Sequence, residues 1–204
     1  MTAYKSLKST GVCKLLIRLF WISLGFTISS SLFSLIEVLL PSVYQNIVLI
    51  DALQAIVGFL VHLTSFVVFM IWMYRIHVDL KSFFTEYPIT PGGAFARYLI
   101  PFYNIWGIWN TLSTFAERFS KESGDIKELS DNLKKLIPFL YALSFISNAL
   151  NRLLLKQALS GDGQMNPILL LITCPVDIGL TIAFLELAKT MGSTITQKAK
   201  REIA

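Results

Sequence analysis

Four stretches of this 204-residue chain are apolar over lengths that ordinary soluble helices rarely reach, at 15–40, 46–74, 133–155 and 165–187. A helix that crosses a hydrocarbon core about 30 Å thick needs about 20 mainly apolar residues, so each stretch is read as a membrane-spanning helix. Only 41–45, opening on Pro41, separates the first two, and 156–164, with Gly161-Asp162-Gly163, separates the last two. Connections that short force antiparallel neighbours. The expected fold is therefore all-α, a four-helix transmembrane bundle made of two helical hairpins. Hydrophobic residues at 54% and charged residues at 15% exclude a disordered chain. Two distant cysteines, Cys13 and Cys174, exclude a disulfide scaffold. Lys5, Lys8, Lys14 and Arg18 precede the first apolar run, which is too long for a signal-peptide core and is expected to be a retained anchor.

Charge placement orients the bundle. Of 18 Lys and Arg, only Arg152 and Lys156 flank a turn on the side opposite the amino terminus; the other 16 fall in the amino-terminal tail and first helix entrance, from Arg75 to Lys135, or from Lys189 onward. The positive-inside rule then places both termini and the central connection in the cytoplasm of a cell membrane. The excess of +5 reports topology, and no nucleic-acid partner is expected.

The central connection carries an amphipathic segment at 94–119. Phe102, Ile105, Trp106, Trp109, Leu112, Ala116 and Phe119 recur at steps of three and four, with amides, hydroxyls and charges between them. Such a helix suits the cytoplasmic interface, either lying on it or dipping in as a re-entrant segment. A spanning helix from Ala94 to Ala116 would carry the basic residues beyond it across the membrane, against the charge rule. Trp72 and Tyr74 are expected to mark the interfacial level where the second helix leaves the membrane. The stretch 119–135, with alternating acids and lysines, reads as a solvated connector.

The run Trp72-Met-Tyr74-Arg75, then Thr90-Pro91-Gly92, Ala94, Ile100-Pro101-Phe102 and Asn104-Ile-Trp106, resembles the signature of the domain of unknown function 4328 family of bacterial membrane proteins. The likeness extends to Ser147-Asn148-Ala-Leu-Asn-Arg152 and Asp177, with Asp79 and Ile108 standing where that family often has Asn and Pro. The resemblance implies a four-helix architecture and no particular activity.

Polar groups inside hydrocarbon are the remaining candidates, because each is expensive to place there. Glu37, Asp51 and Arg152 fall near the outer turns, where the Arg would neutralise part of an acidic pair. His62 and Asp177 fall at comparable depth near the middle of the second and fourth spans, with Pro175 close by. As a pair they read either as interhelical hydrogen-bonding groups or as a proton-responsive lining of a solute path. Asn148 and Asn151, with Ser144 and Ser147, read as packing and hydrogen-bonding positions. Gly25, Ser29 and Ser30 read as a small-residue face for close helix approach. Two histidines in different settings suggest no metal site, and no spacing suggests a cofactor or a catalytic group. The expected role is a non-enzymatic interaction or scaffold module that binds membrane lipids, a partner membrane protein or a second copy. Its contact face would comprise Trp72, Tyr74, Arg75, Pro101, Asn104, Trp106 and Trp109. The alternative is a small transporter or channel subunit.

Overall fold

The computed structural model describes residues 7–100, 103–159 and 166–202. Among these residues there are six helices and no strand: α1 (Thr10–Leu39), α2 (Pro41–Phe83), α3 (Pro91–Leu99), α4 (Tyr103–Phe119), α5 (Asp125–Leu159) and α6 (Pro167–Arg201). Three of them, α1, α2 and α6, are long and apolar enough to cross a membrane. The third expected span lies within α5, where Asn148, Asn151 and Arg152 lower the apolarity.

The helix ends follow local chemistry. Pro41 both stops α1 and starts α2, because a proline without its N–H fits the first helical position; the expected turn at 41–45 is helical, and Leu40 alone connects the two. Pro167 opens α6 in the same way, after Asn166, whose side-chain oxygen accepts from the N–H groups of Ile168 (2.9 Å) and Leu169 (3.3 Å). The Gly161-Asp162-Gly163 turn lies outside the described residues. Thr90 caps α3 by accepting the Gly93 N–H at 3.0 Å. A Cβ on Gly93 would stand 2.8 Å from that hydroxyl, so the glycine lets the two come close. Gly124, at φ 61°, makes the sharp turn from α4 into α5.

The expected solvated connector at 119–135 is instead this turn and the first turns of α5. Its alternation of acids and lysines covers one helical face, while Ile126, Ser130 and Leu133 on the other face are fully buried. The Ser130 hydroxyl donates to the Ala116 carbonyl.

The chain divides into two compact units. The first comprises Met1–Arg18, Ser65–Pro138 and Leu185–Ala204. Its interior is an ordinary apolar core: Leu16, Trp72, Met73, Ile76, Leu80, Leu112, Phe115, Phe119, Ile137 and Leu185 are all sealed from solvent. The Asp79 carboxylate, also buried, accepts from the backbone N–H groups of Lys8 (3.0 Å) and Ser9 (2.9 Å), capping α1 from a different helix. At the other end of the sequence, Lys198 pairs with Glu122 at 2.8 Å and Arg201 donates to the Ser123 carbonyl at 2.7 Å, fastening α6 to the turn around Gly124.

The second unit comprises Leu19–Thr64 and Phe139–Phe184, and its distribution is inverted. Leu49, Ile50, Phe59, Leu60, Phe145, Leu155 and Ile168 face outward, while its buried positions include Ser23, Thr27, Ser147 and Thr173. An apolar exterior around hydroxyls suits hydrocarbon as the surrounding solvent. Gly25 has no atom from another helix near its Cβ position, so the expected close approach does not occur there. Ser30 instead exchanges hydrogen bonds with Gln54, whose amide also donates to the Phe26 carbonyl.

Among the described glycines of the first unit the closest approach is at Gly192, where an added Cβ would sit 2.5 Å from the Cys13 sulfur. Gly192→Ala is expected to cost about 1–3 kcal/mol by overpacking, despite the better helix propensity of alanine. Thermal unfolding of the detergent-solubilised protein measures it; a variant as stable as the parent would show that α1 and α6 tolerate separation.

Candidate functional site

The polar groups of the second unit are organised by the α-helix itself. Hydroxyls that cannot reach water donate to the carbonyl four residues back: Thr27 to Ser23 (3.0 Å), Ser31 to Thr27 (2.9 Å), Thr173 to Leu169 (2.8 Å) and Thr181 to Asp177 (2.8 Å). Each hydroxyl oxygen keeps its lone pairs for something else.

Two of these hydroxyls join His62 to the neighbourhood of Asp177. His62 Nε2 lies 3.3 Å from Thr27 Oγ1, which in turn lies 3.5 Å from Thr181 Oγ1, and Thr181 is anchored on the Asp177 carbonyl. On its far side the ring places Nδ1 2.7 Å from the Gly58 carbonyl oxygen. That oxygen only accepts, so Nδ1 carries a proton in either charge state. The arrangement therefore has two satisfied forms. With a neutral ring, the Thr27 hydroxyl donates to Nε2. With a charged ring, Nε2–H donates to Thr27 Oγ1 while that hydroxyl donates to the Ser23 carbonyl. The Asp177 carboxylate accepts from the Ser147 hydroxyl at 2.6 Å, and the Asn151 amide steadies Ser147 from 3.1 Å. Thus the two mid-helix residues singled out in the sequence do come into one neighbourhood.

A cleft of about 140 Å³ opens beside this network. Thr27, Ser30, Ser31 and Ser34 of α1 line one wall, and Thr173, Cys174 and Asp177 of α6 line another, with Leu154 and Leu170. Positions 27, 30, 31 and 34 share one helical face, so α1 presents a hydroxyl-bearing strip in an otherwise apolar helix. Sequence reading named Ser30 only as a small residue and passed over Thr27, Ser31, Ser34, Thr173 and Thr181. Their recurrence at steps of three and four, on helices that otherwise read as apolar, was the available signal.

The other intramembrane candidates stay outside the network. Asn148 is exposed and donates only to the Ser144 carbonyl of its own helix, at 2.8 Å. Asp51 accepts from the Tyr44 hydroxyl at 2.7 Å, and Glu37 lies near enough to feel its charge. Arg152 is exposed and, among the described residues, pairs with neither acid. The expected neutralisation does not form, because Tyr44 takes the role of the donor to Asp51.

The candidate contact face also divides. Trp72 is fully buried in the first unit's core, with Phe69 at a ring-centroid distance of 5.9 Å, so it is a packing residue and not an interfacial marker. Tyr74 is exposed, as is Arg75, which reaches the Lys8 carbonyl at 3.5 Å. Pro101 lies outside the described residues, and for Asn104 only its place in α4 is described. Along α4 the apolar stripe splits: Leu112, Phe115, Ala116 and Phe119 are fully buried, whereas Trp106 and Trp109 remain 64% and 39% exposed. The period of 3.6 that suggested an interfacial helix serves a protein core equally well, and the last two turns of α4 use it that way.

A third group was not anticipated from the sequence. His77, fully buried on α2, and Tyr87, buried in the connection to α3, meet edge to face with ring centroids 5.7 Å apart. Neither His77 Nε2 nor the Tyr87 hydroxyl has a hydrogen-bond partner. Burial pushes the Tyr87 phenol well above its ordinary pKa, against the opposing pull of Arg118 and Arg97. Among the described residues no group of three or more metal-ligating side chains is assembled. Compared with protein-family models, curated proteins and solved structures, the chain finds no match in any of the three.

Proposed function

We propose that the chain is a four-helix multipass protein of the cell membrane, with both termini and residues 75–135 cytoplasmic, acting as a non-enzymatic interaction module at the membrane surface. The split of 16 to 2 in its basic residues supports the orientation, and the outward apolar side chains of α5, among them Phe139, Phe145, Leu153 and Leu155, support a fourth crossing. A reporter fused to the carboxy terminus is expected to be active only in the cytoplasm; an external signal would overturn the proposed topology.

The observation that carries the interaction role is the division of α4. Its last two turns are held in the core, and its first turns hold Trp106 and Trp109 outward. Indole rings prefer the headgroup level, where an apolar body and a polar N–H are both accommodated. Membrane lipid is the proposed contact of these rings, and a partner membrane protein or a second copy would be recruited alongside them. In nanodiscs, single-tryptophan proteins retaining Trp106 or Trp109 are expected to be quenched more strongly by bromine high on the acyl chain than by bromine near its end. Unquenched emission at the wavelength of a water-exposed indole would overturn the reading.

The hydroxyl-lined cleft favours a second reading, a small transporter or channel subunit in which His62 and Asp177 respond to protons. The two satisfied forms of the His62–Thr27 contact support it, since neither charge state leaves a polar atom stranded. In vesicles containing a pH dye, Asp177→Asn is expected to abolish flux at least tenfold while leaving assembly unchanged. Absence of flux in both proteins, with assembly lost in the variant, would leave Asp177 as interhelical glue.

A further inference from the structure

The cleft of the second unit is graded from its deep end to its rim. Thr27 of α1 meets Thr181 of α6, and Ser147 of α5 meets Asp177 of α6, which puts the three helices in register. Counted from those contacts, Thr27 is the deepest lining residue and Asp177 stands about one turn nearer the rim, level with Ser31. Leu154 and Leu170 fall at one level, seven residues beyond Ser147 and seven before Asp177, or about 10 Å further along the helices. Leu170 is three residues from the start of α6 and Leu154 five from the end of α5, so the two leucines form the rim. Under the proposed topology that rim faces the outside.

The polar part of the lining offers acceptors. Ser31 and Thr173 give their protons to the carbonyls of Thr27 and Leu169, and the Cys174 thiol points its own at the Leu170 carbonyl, 3.4 Å away. The hydroxyl oxygens keep lone pairs for a guest, and the Asp177 carboxylate, half-buried, accepts only. Among the described residues no lysine or arginine lines the cleft or lies within ion-pair distance of Asp177. A carboxylate in hydrocarbon without a cation is expensive, and a guest that brings positive charge and several N–H donors relieves that cost.

Size and apolar content narrow the guest further. A cavity of about 150 Å³ admits a molecule the size of benzene, so the cleft of about 140 Å³ has room for more than a bare alkali ion. An inorganic cation would also leave Leu154 and Leu170 without a partner. A primary ammonium group on a short alkyl chain answers both ends: three donors for the oxygens and methylene groups for the leucines. An anion or a guest without donors finds nothing to pair with here.

We propose that this cleft binds a short-chain primary ammonium ion from solution, with its N–H groups on the Asp177 carboxylate and the Ser31 and Thr173 oxygens, and its alkyl part against Leu154 and Leu170. The proposal rests on the second of the two functional readings, that the cleft is a solute site, and adds the chemical class of the solute.

The test uses n-butylammonium, which is charged at neutral pH, on the full protein in phosphatidylcholine nanodiscs, with binding read by titration calorimetry against empty nanodiscs. Saturable binding is expected, with n-butanol, butyrate, tetramethylammonium and sodium each at least tenfold weaker. Those four remove the charge, invert it, remove the N–H donors and remove the alkyl body. Asp177→Asn is expected to weaken binding at least tenfold, with thermal unfolding reporting whether the variant is folded. Ser31→Ala, which costs the helix nothing in propensity, is expected to weaken binding about threefold or more and decides the matter if Asp177→Asn does not fold. No saturable binding to the parent overturns the proposal. So does equal binding of butanol, tetramethylammonium or sodium, or a folded Asp177→Asn or Ser31→Ala protein that binds like the parent. Flux into vesicles is measured separately. Binding without flux keeps the site and removes the transporter reading, whereas flux of another solute without butylammonium binding removes this proposal alone.

Discussion

A hydroxyl on an apolar helix has one proton to place, and several hydroxyls of this protein are placed to give it to the helix's own carbonyl four residues back. Thr27, Ser31, Thr64, Ser144, Thr173 and Thr181 all do so. Where water is excluded, an unsatisfied donor costs about 1–3 kcal/mol or more, so this choice comes before any tertiary contact. Its consequence is tertiary all the same. The Thr27 hydroxyl so placed also lies within reach of His62 Nε2 and Thr181 Oγ1, and the Asp177 carboxylate accepts from Ser147. The polar interior of the second unit is thus an outgrowth of backbone satisfaction within each helix.

The sequence states apolarity but does not say what the apolar surface faces. That is why the long helices of α1, α2 and α6 were legible while the destination of individual side chains was not. Trp72 looked like an interfacial ring because it precedes Tyr74 and Arg75 at the end of an apolar run; it is fully buried because α2 continues to Phe83 and its later turns build a protein core. The same ambiguity hid the split of α4 between buried Phe115 and Phe119 and outward Trp106 and Trp109. His62 and Asp177 were legible as a pair because depth along a helix can be counted from its ends. Arg152 was mispaired because counting depth says nothing of azimuth, and Tyr44, one turn into α2, was nearer to Asp51 along its own helix.

Charges outside the apolar stretches follow a different logic. Asp79 is buried yet satisfied, because the exposed N–H groups at the start of α1 supply two donors and a favourable dipole end. Lys198 is satisfied by Glu122 and lies 5.7 Å from the centre of the Phe84 ring. By contrast the half-buried Arg97 and Arg118 meet only neutral partners among the described residues, as the exposed Arg75 and Arg201 also do. Residue types alone do not reveal that difference: it depends on Gly107 and Thr111 fixing where one guanidinium ends, and on the Glu86 carbonyl fixing the other.

The two units also differ in what holds their helices together, and glycine shows it. In the first unit an added Cβ on Gly107 or Gly192 would come within 3 Å of the side chain of Arg97 or Cys13, beside a dense apolar core. In the second, Gly58 and Gly179 would give a Cβ ordinary contacts of 3.4 Å with Phe26 and Leu143, and Gly25 and the α1 hydroxyl strip are not tightly opposed. Lipid tails are as apolar as leucine, so there is little hydrophobic gain in closing that gap. Helices in the second unit are therefore linked at discrete points, by Gln54 with Ser30, Thr27 with His62 and Ser147 with Asp177, and the space between those points remains as the cleft.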